Sequence, residues 1–189
     1  MKHDAKQTSA DVKAKQPNLT KLQNPLDFIA EDHMLEREVC AIIDTIVSNA
    51  STGKMDCERV VSFLTERLPQ HLADEEIDLF PMMLERCVPE DEIQRVIEKL
   101  QSDHGHALAD TPAVVALIDS KDGSSGGLSK EACAQLTEFA VHARRHLILE
   151  NAIILPIARA RLTKHDLDIM RQHMLERRSL DLPPEGLEC

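Results

Sequence analysis

The sequence predicts an all-α protein. Among its 189 residues there is no Tyr or Trp and there are only four Phe, whereas helix-favouring Leu, Ile, Ala, Met, Glu and Arg are plentiful. Apolar residues recur at helical spacing in four long segments, so each segment has one face to bury. These observations predict one domain, an antiparallel up-and-down four-helix bundle with a short additional C-terminal helix.

Local signals mark the ends of the first three helices. Asn24-Pro25 predicts the cap and first turn of a helix that continues to about Ser48. Asp56 predicts the cap of the second helix, and Pro69 predicts a kink within it. Pro89 and the acids after it predict the start of the third helix.

Similar signals mark a loop and the helix ends in the C-terminal part of the sequence. The glycine- and serine-rich stretch 122–127 predicts a flexible loop. Ser129 then predicts the cap of a fourth helix that ends near Leu162, and Thr163 the cap of a fifth that ends near Arg178.

The bundle is expected to occupy residues 24–180. Residues 1–23 lack helical apolar periodicity and predict a mobile N-terminal tail, and residues 181–189 predict a C-terminal tail.

Charge and hydropathy exclude two classes of partner. The formal net charge of -11 would repel a phosphate backbone, which argues against nucleic acid. No apolar run approaches the roughly 20 residues that span a bilayer, which argues against membrane insertion. The N-terminus also lacks the apolar stretch of a secretory signal, so we expect a cytoplasmic protein.

The five cysteines do not suggest a metal or redox motif. Cys40, Cys57, Cys87, Cys133 and Cys189 are scattered, with no Cys-x-x-Cys pair. We expect reduced thiols, the first four buried as small apolar residues and the terminal one exposed.

A repeated motif is the most informative feature of the sequence. An Asp-His pair is followed by a His-x-x-x-Glu element, and in both copies a proline stands six residues after the glutamate. Two such copies indicate duplication of a two-helix unit. The motif residues are Asp32-His33 with His71 and Glu75, and Asp103-His104 with His146 and Glu150.

The motif predicts a metal site. Residues i and i+4 share one helical face, so each His-x-x-x-Glu element offers an imidazole and a carboxylate to one cavity. Two histidines per metal, with Glu75 and Glu150 bridging, predict a dinuclear centre with open positions for a small ligand. Histidine and carboxylate without thiolate suit iron or manganese, and zinc also fits. The predicted ligands are His33, His71, Glu75, His104, His146 and Glu150.

The predicted ligands have further polar neighbours on the same helices. Asp32 and Asp103 are expected to be solvated acids rather than partners of ligand histidines. Glu36 is expected in a surface salt bridge, and His106 is expected to face away from the site. His142, one turn before a predicted ligand, is open as a fifth histidine ligand.

With these residues assembled, the sequence resembles the haemerythrin-like, or HHE cation-binding, family over residues 25–160. The resemblance implies an up-and-down four-helix bundle around a non-haem di-iron centre, oxo- or hydroxo-bridged, with the six residues above as ligands. Oxygen-carrying members use five histidines, whereas this chain shows four at matched positions, so its open coordination is expected to differ.

The resemblance implies a protein that binds or reacts with oxygen, nitric oxide or peroxide in sensing, scavenging or stress protection. Two alternatives are open: an iron storage or donor protein for repair of iron centres, and a structural bundle with a vestigial site. The apolar side of the C-terminal helix is expected to cover the bundle, and it also leaves open a homodimer.

Overall fold

The computed structural model describes residues 22–48, 53–122 and 127–178, and these ranges are helical with no strand. The all-α prediction is confirmed, and five helices are compatible with a bundle. The predicted loop around residues 123–126 and nearly all of both predicted tails lie outside the described residues. The helices are α1 (Pro25–Val47), α2 (residues 54–86), α3 (Ile93–Asp122), α4 (residues 130–161) and α5 (Lys164–Arg177).

Three of the predicted helix starts are confirmed by their caps. The Asn24 side chain accepts a hydrogen bond from the backbone N–H of Leu26 at 3.1 Å, with proline in the first turn. Ser129 and Thr163 accept equivalent bonds from N–H groups at the starts of α4 and α5. These side chains satisfy donors that the first helical turn leaves without partners.

Two predicted starts are wrong. Gly53, not Asp56, precedes α2, and the aspartate lies in the first turn, where its negative charge faces the positive end of the helix dipole. Pro89 begins only a 3-10 turn, Pro89–Asp91. Glu92 then has a left-handed conformation with φ 49°, which interrupts the helix until α3 begins.

Three π turns lie within α2 and α4, and each has a proline six residues after its first residue. Proline has no N–H, so a carbonyl of the preceding turn loses its usual partner. The residue before each proline instead donates to the carbonyl five residues back. α2 therefore continues through Pro69, where the sequence predicted a kink. The pairs are Phe63–Arg67 with Pro69, Glu75–Leu79 with Pro81, and Glu150–Ile154 with Pro156.

Two apolar clusters fill the interior, and each draws residues from all four long helices. Along each of these helices the predicted ligands fall at the boundary between the two clusters. The site is therefore enclosed by apolar packing on both sides. The first cluster includes Phe28, Ile29, Leu79, Phe80, Ile97, Leu100 and Ile154, and the second includes Cys40, Ile43, Leu64, Leu68, Val114, Ile118 and Phe139.

α5 covers the bundle, as the sequence predicted. It packs against α1 and against residues 68–79 of α2, and Met170, Met174 and Leu175 are buried in the first cluster. Leu22, which the sequence placed in the mobile tail, is 1% exposed in the same cluster. The packed part of the chain therefore extends at least to residue 22.

Asp166 fastens the start of α5 to α2. Its carboxylate accepts hydrogen bonds from Thr163 in a capping box and from the Arg86 guanidinium at 2.8 and 3.0 Å. The bonds from Arg86 hold the pKa of Asp166 well below its usual range. Because the folded-state pKa is lowered, this contribution to stability is present above the unfolded value, about pH 4, and is lost as pH falls further.

We expect Asp166→Asn to lower the free energy of unfolding at pH 7 by about 1–2 kcal/mol, because cap and ion-pair bonds are lost together. Urea unfolding at pH 7 and at pH 3 measures the effect, and the difference from wild type should shrink at the lower pH. Asp168→Asn is the control, since it removes only an exposed bond to Lys164. Equal losses in the two variants would contradict the role of Asp166.

Candidate metal centre

The structure brings all six predicted ligands together in the bundle interior. α1 and α3 each contribute one histidine, and α2 and α4 each contribute a histidine and a glutamate. Each is at most 7% exposed. Both glutamates begin a π turn, a local widening of the helix that often occurs at functional sites. The residues are His33, His71, Glu75, His104, His146 and Glu150.

The six residues form two overlapping groups of four. In each group, one donor atom from every member lies within 4.8 Å of the others. Both groups contain Glu75 and Glu150, while the histidines are divided two and two. The arrangement has the donor set for two cations with both carboxylates shared.

The oxygens of the glutamates reach both histidine pairs. Glu150 Oε2 lies 3.2 Å from His33 Nε2, and Glu150 Oε1 lies 2.8 Å from His146 Nε2 and 3.6 Å from His104 Nε2. Glu75 Oε1 lies 3.5 Å from His33 Nε2, and its Oε2 lies 3.4 Å from His104 Nε2. Each glutamate therefore spans the two groups.

The site contains buried donor atoms that form no hydrogen bond, and such atoms are suited to bind metal ions. Within the described part of the chain, both oxygens of Glu75 and both ring nitrogens of His33 and His71 are buried and form no hydrogen bond. A buried polar atom without a partner costs roughly 1–3 kcal/mol, more if charged. Coordination by a cation would satisfy several of these atoms at once.

A carboxylate outside the six orients His104. Glu76 Oε1 lies 2.7 Å from His104 Nδ1, and Gln101 donates to the other oxygen at 2.8 Å. If Nδ1 carries the proton and donates to Glu76, the Nε2 lone pair is directed into the site. The sequence analysis missed this role, although Glu76 directly follows a predicted ligand; the second copy has Asn151 there.

The expectation that Asp32 is solvated is wrong. Asp32 is fully buried, because it accepts a hydrogen bond at 2.6 Å from Arg67, and its other oxygen lies 3.6 Å from His71 Nδ1. Burial alone would raise the pKa of Asp32, but His71 and Arg67 outweigh it and lower the pKa. Asp103, at the matching position, is partly exposed and bonded to Lys99 at 2.7 Å.

The expectation that Glu36 forms a surface salt bridge is also wrong. Glu36 is 7% exposed, and burial raises the pKa of its carboxyl. It faces the interior because it lies one helical turn after His33, on the same side of α1.

Opposite charges adjust the protonation of the site in the absence of metal. Burial would lower the pKa of His71, but Glu75 and Asp32 raise it well above its ordinary value. Burial would likewise raise the pKa of Glu150, but His104 and His146 lower it strongly. A proton on His71 would therefore supply positive charge beside the glutamates, and a cation bound there would have to displace it.

A pocket open to solvent leads to this site. It lies between α1, α2, α3 and α4, with His104 and His146 in its wall. His142 lines the pocket but is exposed and outside both ligand groups. His106 also lines it, and it is exposed and outside both ligand groups.

Cysteines take no part in either ligand group. Cys40 and Cys57 are buried, and Cys87 and Cys133 are half-buried, so only two of the four match the expectation of burial. Burial raises the pKa of Cys40 to about 12, which keeps it as a thiol at neutral pH. The donor set of both groups is thus imidazole and carboxylate, as the sequence predicted.

Side chains at the end of α5 bind acidic residues of α2 on either side of Glu75. Asp74, which is fully buried, accepts bonds from Arg178 and Arg177, and Asp78 accepts bonds from Arg177 and from His173 at 2.6 Å. The sequence analysis missed this network, because α5 lies outside the repeated motif.

The fold and the site define a helical domain with buried histidine and glutamate groups that have the donor atoms to hold metal ions. A family model for the hemerythrin HHE cation-binding domain matches residues 24–158. The chain therefore belongs to the hemerythrin HHE cation-binding domain family, as its motif indicated. A comparison with curated proteins finds no match. None of the described helices is long and apolar enough to cross a membrane.

We expect Arg67→Met to lower the free energy of unfolding of the metal-free protein by about 3 kcal/mol, because the buried Asp32 carboxylate would lose its hydrogen-bonded guanidinium and keep only His71 as a partner. Chemical denaturation measures the loss, and Asp32→Asn added to Arg67→Met should restore part of it. Arg59→Met is the control, since its partner Glu38 is exposed and such pairs contribute roughly 0–1 kcal/mol. Similar losses for the two arginine variants would contradict this account.

Proposed function

We propose that this protein is a non-haem di-iron protein that binds or reacts with a small ligand, namely oxygen, nitric oxide or peroxide, in cytoplasmic sensing, scavenging or stress protection. The single observation that carries the proposal is the pair of ligand groups that share Glu75 and Glu150. Family membership supports the same interpretation. The proposed ligands are the six residues of these groups.

Iron is proposed because the donors are imidazoles and carboxylates without thiolate. Manganese and zinc use the same donors and are tested below. When bound, the ions would supply redox chemistry and open positions for the small ligand.

The side chains of the chain itself would prepare the site for that chemistry. Glu75 and Glu150 would neutralise only part of the charge of two divalent ions, so the loaded site would attract small anions and electron-rich ligands. Glu76 would orient His104, and Asp32 would orient His71. The apolar clusters on both sides exclude bulk water.

We also propose that α1 to α4 run antiparallel within one domain, residues 24–180. The two clusters support this arrangement, because the first combines the early residues of α1 and α3 with the late residues of α2 and α4.

Iron storage or donation is the alternative that a specific observation favours. The ligand His104 lies in the wall of a pocket open to solvent, which gives a path for the release of metal. A purely structural bundle with a vestigial site is the remaining alternative, and it predicts no metal in the purified protein.

We expect anaerobic reconstitution to load two ferrous ions per chain, with thermal stability rising because metal binds the folded state; at 100 times Kd the gain is about 2.7 kcal/mol. Metal analysis and thermal unfolding measure both effects. Glu75→Gln and Glu150→Gln should each lower the stoichiometry, whereas exposed Glu138→Gln should not. Wild-type protein that takes up no metal would overturn the proposal.

Exposure of the loaded protein to oxygen, nitric oxide and peroxide then separates the functions. Rapid change in the optical and Mössbauer spectra with iron retained supports small-ligand chemistry. Complete transfer of iron to a chelator with the fold retained, and no rapid reaction with any of the three, supports the donor function instead. Parallel loading with manganese and zinc tests the identity of the metal.

A further inference from the structure

The pocket beside the site has donor groups that the six proposed ligands do not include. It is open to solvent, and about 30 Å³ of it has room for the centre of a water molecule. His106, Asp110 and His142 line it and are exposed. Within residues 22–48, 53–122 and 127–178, none of these three forms a hydrogen bond or an ion pair with another side chain. The pocket therefore presents two imidazoles and a carboxylate to solvent beside the two ligand groups.

The repeat explains why the pocket opens beside the second copy of the motif. Arg67 and Asp32 of the first copy correspond to His142 and Asp103 of the second. In the first copy the arginine reaches across to its buried aspartate at 2.6 Å. In the second copy the shorter histidine stays exposed and Asp103 is bonded to Lys99 instead. Among the described residues, His142 and Asp103 form no equivalent pair between α4 and α3.

Glu36 is the unusual residue of the pocket wall. The residue is 7% exposed overall and lines the pocket, and its side chain forms no hydrogen bond or ion pair with any residue that the structure describes. Its counterpart in the second copy is Ala107. Burying a carboxylate without a partner costs free energy, and a cation bound to it would offset that cost. Because it lies outside both ligand groups, its role is separate from that of the six.

We propose that this pocket is a loading site for a divalent cation. His106, Asp110 and His142 receive the hydrated ion, and Glu36 then binds it before it reaches the two ligand groups. The inference rests on the proposed metal function. Oxygen and nitrogen donors suit first-row divalent ions, and acidic clefts with low-dielectric walls concentrate cations and raise association rates by 10–10³-fold.

The test is the rate of Co²⁺ uptake by the metal-free full chain, followed by stopped-flow absorption. Glu36→Gln and the triple variant His106→Gln/Asp110→Asn/His142→Gln should each slow loading at least about tenfold, with the final stoichiometry unchanged. Glu36→Asp should restore part of the rate. Added salt should slow the wild type more than the triple variant, because screening weakens the attraction of exposed charges.

Glu138→Gln and Asp119→Asn, exposed acids outside the pocket, are the matched controls and should load at the wild-type rate. If all variants load two ions as fast as wild type, the loading site is wrong while the metal function stands. If Glu36→Gln lowers the final stoichiometry, Glu36 is a ligand of the inner pair and the loading role is overturned. If the wild type takes up no Co²⁺, Fe²⁺, Mn²⁺ or Zn²⁺, both proposals fall.

Discussion

The burial of two glutamates among four histidines is the constraint on which the rest of the structure depends. Carboxylates taken out of water need compensating positive charge, and among the described residues the imidazoles beside them can provide it when protonated. Four helices must therefore present these residues to one point. Apolar clusters pack on either side of that point and fix the distances between the helices, while the pocket opens it to solvent beside His104 and His146.

The π turns follow from the same constraint. A regular helix places successive residues about 100° apart, and one additional residue in a turn shifts the faces that lie before and after it. The turns that begin at Glu75 and Glu150 let the helix present its ligand side chains to the site and, beyond the proline, its apolar side chains to the first cluster. The same backbone solution occurs in both halves of the repeat.

The surroundings of the site, by contrast, are asymmetric. In the first half, Arg67 and Asp32 form a buried pair next to His71, and α5 fastens the backbone around Glu75 through Asp74 and Asp78. In the second half, the corresponding region is the solvent-open pocket. A symmetric ligand set thus lies between a closed side and a side with a pocket open to solvent.

The sequence by itself determined the helical class, the six clustered residues and the caps at Asn24, Ser129 and Thr163. These features depend on the spacing of residues along a single helix and on hydrogen bonds between residues close in sequence. The prolines also carried the signal for the π turns, but the sequence analysis interpreted Pro69 only as a kink.

Only the tertiary structure decided which polar neighbours are buried. Asp32 looked like a surface acid because its partner Arg67 is 35 residues away, and Glu36 looked like a surface acid because its pocket is formed by three other helices. The bonds from α5 to Asp74 and Asp78 join residues about 100 positions apart in the sequence, so helical periodicity does not predict them. A side chain's helix face is a local property, whereas the groups it meets there depend on how distant helices pack.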